Sequence, residues 1–219
     1  FGGIVGSVSG VSTLENLINM GSMAFNDFTS ESLCVGGIVG HAGSFISEIS
    51  WVSIKNCANY GTIMYSGAVS HGSIGGVIGS SDGDVIKNTL VWNSLNYGTI
   101  KLERAFFNTL GVGGIIGRSG GSIFRNCVSV GSIVLEQTEE IMAGALTGEE
   151  LNSNFINCYW SDGIGLDTFG NKYSVSTRMP FSVKICLSRG RRQRRIFLCY
   201  FNCIKMFFLI NRSQAEGGV

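Results

Sequence analysis

The chain contains 219 residues, of which 32 are Gly, 1 is Pro and 14% are charged. Pro is scarce and no G-X-Y period is present, which excludes collagen, while Gly mixed with small polar and β-branched residues predicts short strands joined by tight turns. Residues 1–177 carry seven Lys and Arg against fourteen Asp and Glu, and residues 178–219 carry nine against one. The net charge of +1 therefore combines an acidic body with a basic tail, and the body is not expected to bind nucleic acid.

Two motifs recur along the body of the chain. The first, GG[IV][VI]G, starts at Gly2, Gly36, Gly75 and Gly113, and a degenerate version, AGALTG, starts at Ala143. The second motif contains an Asn followed by Gly, and this Asn is Asn16, Asn56, Asn93, Asn126 or Asn157. The Gly stands five residues beyond the Asn in the first four units and six residues beyond it in the fifth. Self-similarity at roughly 30–40 residues is typical of stacked repeats. The sequence therefore predicts an all-β parallel β-helix (β-solenoid) of about five rungs over residues 1–177.

Aligning the five units gives columns of apolar residues. Two residues before the motif Asn stand Leu14, Ile54, Val91, Phe124 and Phe155. Seven residues after it stand Met23, Ile63, Ile100, Ile133 and Ile164. The first motif contributes apolar pairs that begin at Ile4, Ile38, Val77, Ile115 and Ala145. We expect each column to face the core, with Ile38, Val77 and Ile115 in single file.

The motif Asn residues are predicted to be structural. Residues three apart in a straight strand point to opposite faces, yet the residue two before each Asn is apolar and the residue just after it is mostly apolar as well, Ser94 being the exception. A bend at the Asn resolves this, since Asn tolerates the left-handed conformation. Stacking then predicts a ladder of side-chain amides through Asn16, Asn56, Asn93, Asn126 and Asn157.

The paired glycines of the first motif are predicted to be structural as well. Gly permits a sharp corner or a close approach of neighbouring backbone, and we assign that role to Gly37, Gly76 and Gly114. The segments between the two motifs vary in length, so we expect residues 43–53, 80–90 and 118–122 to be surface loops.

No catalytic, cofactor or metal site emerges from the sequence. The Gly-rich segment at residues 111–121 lacks the Lys of a phosphate-binding loop and its pattern recurs in every unit, so it predicts structural corners. SSDGD at residues 80–84 occurs once, which favours an acidic surface loop over a Ca²⁺ site. His41 and His71 occupy unrelated positions in their units, and no CxxC pair occurs.

Three of the seven cysteines, Cys57, Cys127 and Cys158, share one column. We expect them to be buried thiols that pack as small hydrophobic side chains. Rungs about 4.8 Å apart also lie within the Cα range of a disulfide, so a bridge between Cys127 and Cys158 is the alternative.

GGIVG followed downstream by I-x-N-C-x-N-x-G-x-I, as at residues 54–63, resembles the GLUG repeat of bacterial surface and adhesin-like proteins. NCYW at residues 157–160 is similar to the way such arrays close. The resemblance implies a β-solenoid on a secreted or cell-surface protein that serves as a stalk or an adhesive surface. It implies glycans or host and cell-surface proteins as partners, and it transfers no catalytic residues.

The tail, residues 178–219, lies outside this resemblance. A basic run, RGRRQRR, precedes an apolar block of 15 residues that ends at Ile210. The block is shorter than the ~20 residues that span a bilayer. It suits an interfacial segment on an anionic membrane, or it is a gene-model artefact, so membrane contact is expected only if the tail is natural.

Three functions follow from this interpretation. We expect a non-catalytic, adhesin-like scaffold at the cell surface or outside the cell. The alternative is a fragment of a carbohydrate-active β-helix enzyme, which would need paired carboxylates across a cleft. The candidate acids are scattered outside the aligned columns: Glu139, Glu140, Glu149, Glu150, Asp162 and Asp167. The third function is a purely structural stalk.

Overall fold

The structure, a computed structural model, describes residues 1–43, 50–82, 87–136 and 141–161. Within these ranges the regular secondary structure consists of twenty β-strands, and no helix is present. The tail predicted at residues 178–219 lies outside the described residues, as does Ile164.

The strands form five successive coils. The first coil contains β1 (Val5–Val8), β2 (Val11–Glu15), β3 (Ile18–Asn19) and β4 (Met23–Gly36). The second contains β5 (Val39–Ala42), β6 (Ser50–Lys55), β7 (Ala58–Asn59) and β8 (Ile63–Gly75). The third contains β9 (Ile78–Ser81), β10 (Lys87–Trp92), β11 (Leu95–Asn96) and β12 (Ile100–Gly113). The fourth contains β13 (Ile116–Gly120), β14 (Ile123–Arg125), β15 (Val128–Ser129), β16 (Ile133–Glu136) and β17 (Ile141–Gly144). The fifth contains β18 (Thr147–Leu151), β19 (Asn154–Ile156) and β20 (Tyr159–Trp160).

Equivalent strands of successive coils pair in parallel and build four sheets. Sheet 1 is β1-β5-β9-β13-β18, sheet 2 is β2-β6-β10-β14-β19, and sheet 3 is β3-β7-β11-β15-β20. Sheet 4 is β4-β8-β12-β16, with β17 also paired to β12. The parallel β-helix of about five rungs predicted from the repeat is therefore confirmed.

The apolar columns face two cores. The first core lies among sheets 1, 2 and 3, and it holds the single file of Ile38, Val77 and Ile115, each with no exposed surface. Their backbones are hydrogen-bonded in succession, Ile38 N to Val77 O and Val77 N to Ile115 O, both at 2.9 Å. The second core lies within sheet 4, where side chains from both halves of the long strands pack together. Each fully buried Ile contributes about 1.5–3 kcal/mol of burial free energy, so the columns account for much of the fold's stability.

Sheet 4 bends because two of its strands carry a β-bulge. Compared with β8, strand β4 has one extra residue between Phe25 and Phe28, and β12 has one between Leu102 and Ala105. Asp27 and Arg104 occupy these bulges with φ of 50° and 49°. A bulge of this kind sharpens the local bend of a strand, and here it lets the two halves of each long strand enclose a core.

Two expectations from the sequence are corrected. The fifth unit is aligned one residue away from its predicted register: Ile115 N bonds to Leu146 O, and Ile116 pairs with Thr147. Gly144 continues the column of Gly113, so the motif is GALTG and Ala145 is not the partner of Ile115.

The predicted loops are also shorter than expected. Their ends belong to β6, β9, β10 and β13, because those residues pair in register with strands of the neighbouring coils.

Candidate binding face

The five motif Asn residues form one corner of every coil. Asn16, Asn56, Asn93, Asn126 and Asn157 have φ between 50° and 58°. This left-handed conformation turns the chain between sheets 2 and 3, so the apolar residues on both sides of each Asn enter the first core. The bend expected from the sequence is present at all five positions.

Four of these Asn side chains also form a ladder, which we call the outer ladder. Each Nδ2 donates to the Oδ1 of the preceding coil: Asn56 to Asn16 at 3.3 Å, Asn93 to Asn56 at 3.2 Å, and Asn126 to Asn93 at 3.1 Å. The ladder lies at the edge of the solvent, since its side chains are exposed or partly buried.

A second, buried ladder was not predicted from the sequence. This inner ladder consists of Asn19, Asn59 and Asn96, on strands β3, β7 and β11. Asn19 Nδ2 donates to Asn59 Oδ1 at 2.8 Å, and Asn59 Nδ2 donates to Asn96 Oδ1 at 2.9 Å. The spacing N-x-G in each of the first three units is the signal that could have revealed it.

The amide of Asn59 makes four hydrogen bonds. Besides its two ladder partners, Nδ2 donates to Gly61 O at 2.9 Å and Oδ1 accepts from Gly61 N at 3.2 Å. Both amide hydrogens and both carbonyl lone pairs are therefore used, which satisfies a side chain with no exposed surface. Ser129 takes the Asn position in the fourth coil, and its buried Oγ has no hydrogen-bond partner among the described residues.

The predicted structural glycines pack against this inner ladder. A Cβ on Gly37 would lie 2.3 Å from Asn59 Cγ, and one on Gly76 would lie 2.2 Å from Asn96 Cγ. At Gly114 the obstacle is Ser129 Oγ, 2.0 Å away. Positive φ among the described glycines is confined to Gly10, Gly43, Gly67 and Gly121. Close approach, rather than a left-handed corner, is thus the reason for glycine at these three positions.

The cysteines of the shared column are free thiols in the first core. Cys57, Cys127 and Cys158 are at most 6% exposed, and the structure has no bond between Cys127 and Cys158. Burial raises the pKa of Cys57, and burial together with the neighbouring Cys158 raises the pKa of Cys127 well above its usual range. All three side chains pack as apolar groups, and Cys57 and Cys127 are poor nucleophiles at neutral pH.

The outer face of sheet 2 carries the largest exposed aromatic side chains of the described chain. Strand β6 alternates strictly, with Val52 and Ile54 facing the first core, while Trp51 points outward and is 47% exposed. Trp92 on β10 is 36% exposed. The register pairs Trp51 with Asn88, four residues before Trp92, which separates the two rings by roughly 13 Å along the strands. We call this surface the Trp face.

Cations flank one of these rings. In register with Trp92 lie Lys55 of the preceding coil and Arg125 of the following coil. Lys55 Nζ is 5.6 Å and Arg125 Cζ is 5.7 Å from the Trp92 ring centroid. Exposed cation–π contacts of this kind contribute about 0.5–1 kcal/mol each, enough to order the three side chains into one platform. Glu15 of the first coil is in register with Lys55 on the side away from Trp92.

The candidate acids do not form a catalytic pair among the described residues. Glu149 and Glu150 lie on β18, contrary to the expectation that they fall outside aligned columns. Glu149 is engaged by Arg118, with Nε and Oε2 3.3 Å apart, and Glu150 accepts a hydrogen bond from Ser153 N. Glu139, Glu140, Asp162 and Asp167 lie outside the described residues.

Comparison of this chain with family models, with curated proteins and with solved structures gives no match. No helix that could cross a membrane occurs in the ranges that the structure describes.

Proposed function

We propose that this chain is a non-catalytic repeat module of a secreted or cell-surface protein, an adhesin-like scaffold whose Trp face binds an extended acidic glycan. The repeat motifs and their resemblance to the GLUG repeat support the surface scaffold. The observation that carries the ligand is the pair of exposed rings, Trp51 and Trp92, the second flanked by Lys55 and Arg125.

The chemistry of this face suits a chain of charged sugars. The flat apolar face of a sugar ring packs on an indole, whose electron-rich surface attracts the polarised C–H groups. Lys and Arg beside the ring favour carboxylate or sulfate groups, which they bind by charge-assisted hydrogen bonds. Two rings separated by roughly 13 Å match an extended polymer better than a single sugar. The parallel sheet supplies a rigid base that needs little ordering on binding.

Affinity electrophoresis in gels that contain alginate, a uronic-acid polymer, tests the proposal, with dextran as the neutral comparison. We expect retardation by alginate only, at least tenfold weaker affinity in Trp92→Ala, and a steep loss of affinity with added salt. Tyr97→Ala is the matched control, since Tyr97 is equally exposed but lies beyond sheet 3, and it should bind normally.

The other outcomes correspond to the alternative functions. If shortened or unsaturated sugars are released from alginate, the scaffold function is contradicted and the protein is a carbohydrate-active enzyme. If the protein migrates identically in all gels, glycan binding is contradicted, and a purely structural stalk is the remaining function.

A further inference from the structure

One cluster of reactive side chains departs from the repeat. Cys34 on β4 is in register with Ser73, and His41 on β5 is in register with Ser80. The equivalent residues of the later coils are Gly111 and Met142 in the first column, and Arg118 and Glu149 in the second. The ladders and apolar columns repeat the same chemistry from coil to coil, whereas the thiol of Cys34 and the imidazole of His41 each occur once in their columns. The stacking of the coils therefore does not explain them.

The cluster is assembled where sheet 4 meets sheet 1. Cys34 points away from the second core, because its neighbours Leu33 and Val35 point into it. Ser80 Oγ lies 3.2 Å from Cys34 Sγ and 2.8 Å from His41 Nδ1. His41 Nε2 lies 3.7 Å from Asp82 Oδ2. His41 is 7% exposed, whereas Cys34 is only partly buried and is accessible to a small reagent.

The hydrogen bonds connect the thiol to the imidazole through one hydroxyl. Ser80 Oγ donates to Cys34 Sγ and also makes a hydrogen bond with His41 Nδ1. The Asp82 carboxylate lies on the other side of the ring, with Oδ2 3.7 Å from Nε2. A hydrogen bond donated to the sulfur stabilises the thiolate relative to the thiol.

We propose that Cys34 is a reactive thiolate, activated by His41 and Asp82 through Ser80, and is a site of covalent modification by small electrophiles of the hydroperoxide class. The sulfur attacks one peroxide oxygen, the O–O bond breaks and an S–O bond forms. The sulfur is oxidised to a sulfenic acid and the peroxide is reduced. The leaving hydroxide or alkoxide takes a proton from water. This site lies apart from the Trp face and does not depend on glycan binding.

Electrostatics of the cluster agree with this chemistry. Burial alone would raise the pKa of Cys34, but hydrogen bonds from His41, Ser73 and Ser80 and the charge of His41 outweigh it and lower the pKa to about 7. Among the described residues, Asp82 and Arg118, which is in register with Ser80, also lie near this cluster. The thiol is therefore ionised to a larger extent at neutral pH than an ordinary cysteine.

Alkylation by iodoacetamide as a function of pH tests the activation. Residues 1–55 are one tryptic peptide with Cys34 as its single cysteine, so mass spectrometry of the full-length chain isolates this thiol. We expect a half-maximal rate near pH 7. His41→Gln, which cannot become a cation, should move the midpoint up by at least one pH unit, and Asp82→Asn should move it up by less. His71→Gln is the control, because His71 bonds to Thr109 elsewhere on sheet 4.

A wild-type midpoint at or above pH 8.5, or an unchanged midpoint in both His41→Gln and Asp82→Asn, would overturn the proposal. If the circular dichroism spectrum shows that His41→Gln does not fold, the pH profiles of alkylation in Asp82→Asn and in the wild-type protein test the proposal instead. Treatment with hydrogen peroxide and dimedone should then label the 1–55 peptide and spare the peptides of Cys57 and Cys127. Absence of the label from that peptide would also overturn the proposal.

Discussion

The two Asn ladders use the same side chain for different purposes. The outer ladder places Asn where the backbone must be left-handed, and its amides meet at 3.1–3.3 Å beside solvent. The inner ladder places Asn on ordinary strand residues, where buried amides meet at 2.8–2.9 Å and also bond to the glycine two residues later. The outer Asn is therefore selected mainly by backbone conformation, and the inner Asn by hydrogen bonding in the absence of water.

Removing an inner rung should give the largest effect. Asn59→Ala deletes four hydrogen bonds and leaves Gly61 N and Gly61 O short of partners in a buried site. Each buried group left unpaired costs about 1–3 kcal/mol, so we expect a loss of about 4 kcal/mol. Urea denaturation measures it. A loss under 1 kcal/mol would show that the inner amides are not a structural ladder.

A side chain that crowds the inner ladder should destabilise the protein slightly less than the loss of Asn59. In Gly76→Ala the new Cβ would lie 2.2 Å from Asn96 Cγ and 2.2 Å from Gly114 O, so the backbone must shift, and we expect about 3 kcal/mol of destabilisation. Gly6→Ala is the matched control, because a Cβ there has no heavy atom within 4 Å, and its unfolding midpoint should not fall. Equal effects in the two variants would contradict the close approach.

Outer-ladder variants should separate conformation from hydrogen bonding. Asn93→Ala forces Ala into φ 50° and removes two amide bonds, so we expect a loss of about 2 kcal/mol. Asn93→Gly keeps the left-handed conformation accessible, so its free energy of unfolding should fall by only about half as much as that of Asn93→Ala. Asn152→Ala, at φ 57° outside the ladder, should lose about 1 kcal/mol for conformation alone. Thermal unfolding compares the three, and an unchanged melting temperature in Asn93→Ala would contradict the ladder.

Completing the inner ladder should give the smallest effect, in the opposite direction. Ser129→Asn offers Asn96 a further amide partner and replaces a buried hydroxyl that has no hydrogen-bond partner among the described residues. We expect about 1 kcal/mol of stabilisation in the same urea assay, the usual net contribution of one hydrogen bond. Ser129→Ala serves as the control and should not stabilise by as much. Destabilisation by Asn would mean that the fourth coil has no room for the amide.

The sequence predicted the coils, the cores and the outer corner because those features repeat. Asn56 and its counterparts stand at a fixed distance from apolar residues on either side, and period-two reasoning then requires a bend. The inner ladder was missed because Asn59 has a Ser counterpart, Ser129, in the fourth unit, and the column appeared irregular. The one-residue shift near Ala145 escaped because Ala-Gly-Ala offers two alignments. Backbone hydrogen bonds, which the sequence does not display, choose between them.

The candidate sites were less predictable, because both depend on residues that do not repeat. Trp51 fell in a segment expected to be a loop, and only the register of β6 with β10 brings it to the same face as Trp92. Cys34, His41 and Asp82 lie in three successive units at unrelated positions in the motifs. Their proximity follows from the contact of sheets 4 and 1, where a Cβ on Gly79 would lie 2.6 Å from Val35 N. No spacing in a single unit shows that contact.

Hydrogen exchange of the Asn side-chain amides, measured by NMR, tests the difference between the ladders most directly. The account predicts that the Nδ2 hydrogens of Asn59 exchange only through global unfolding, while those of Asn56 exchange at least a hundredfold faster through local fluctuations. Equal and rapid exchange at both residues would contradict a buried, fully bonded inner ladder.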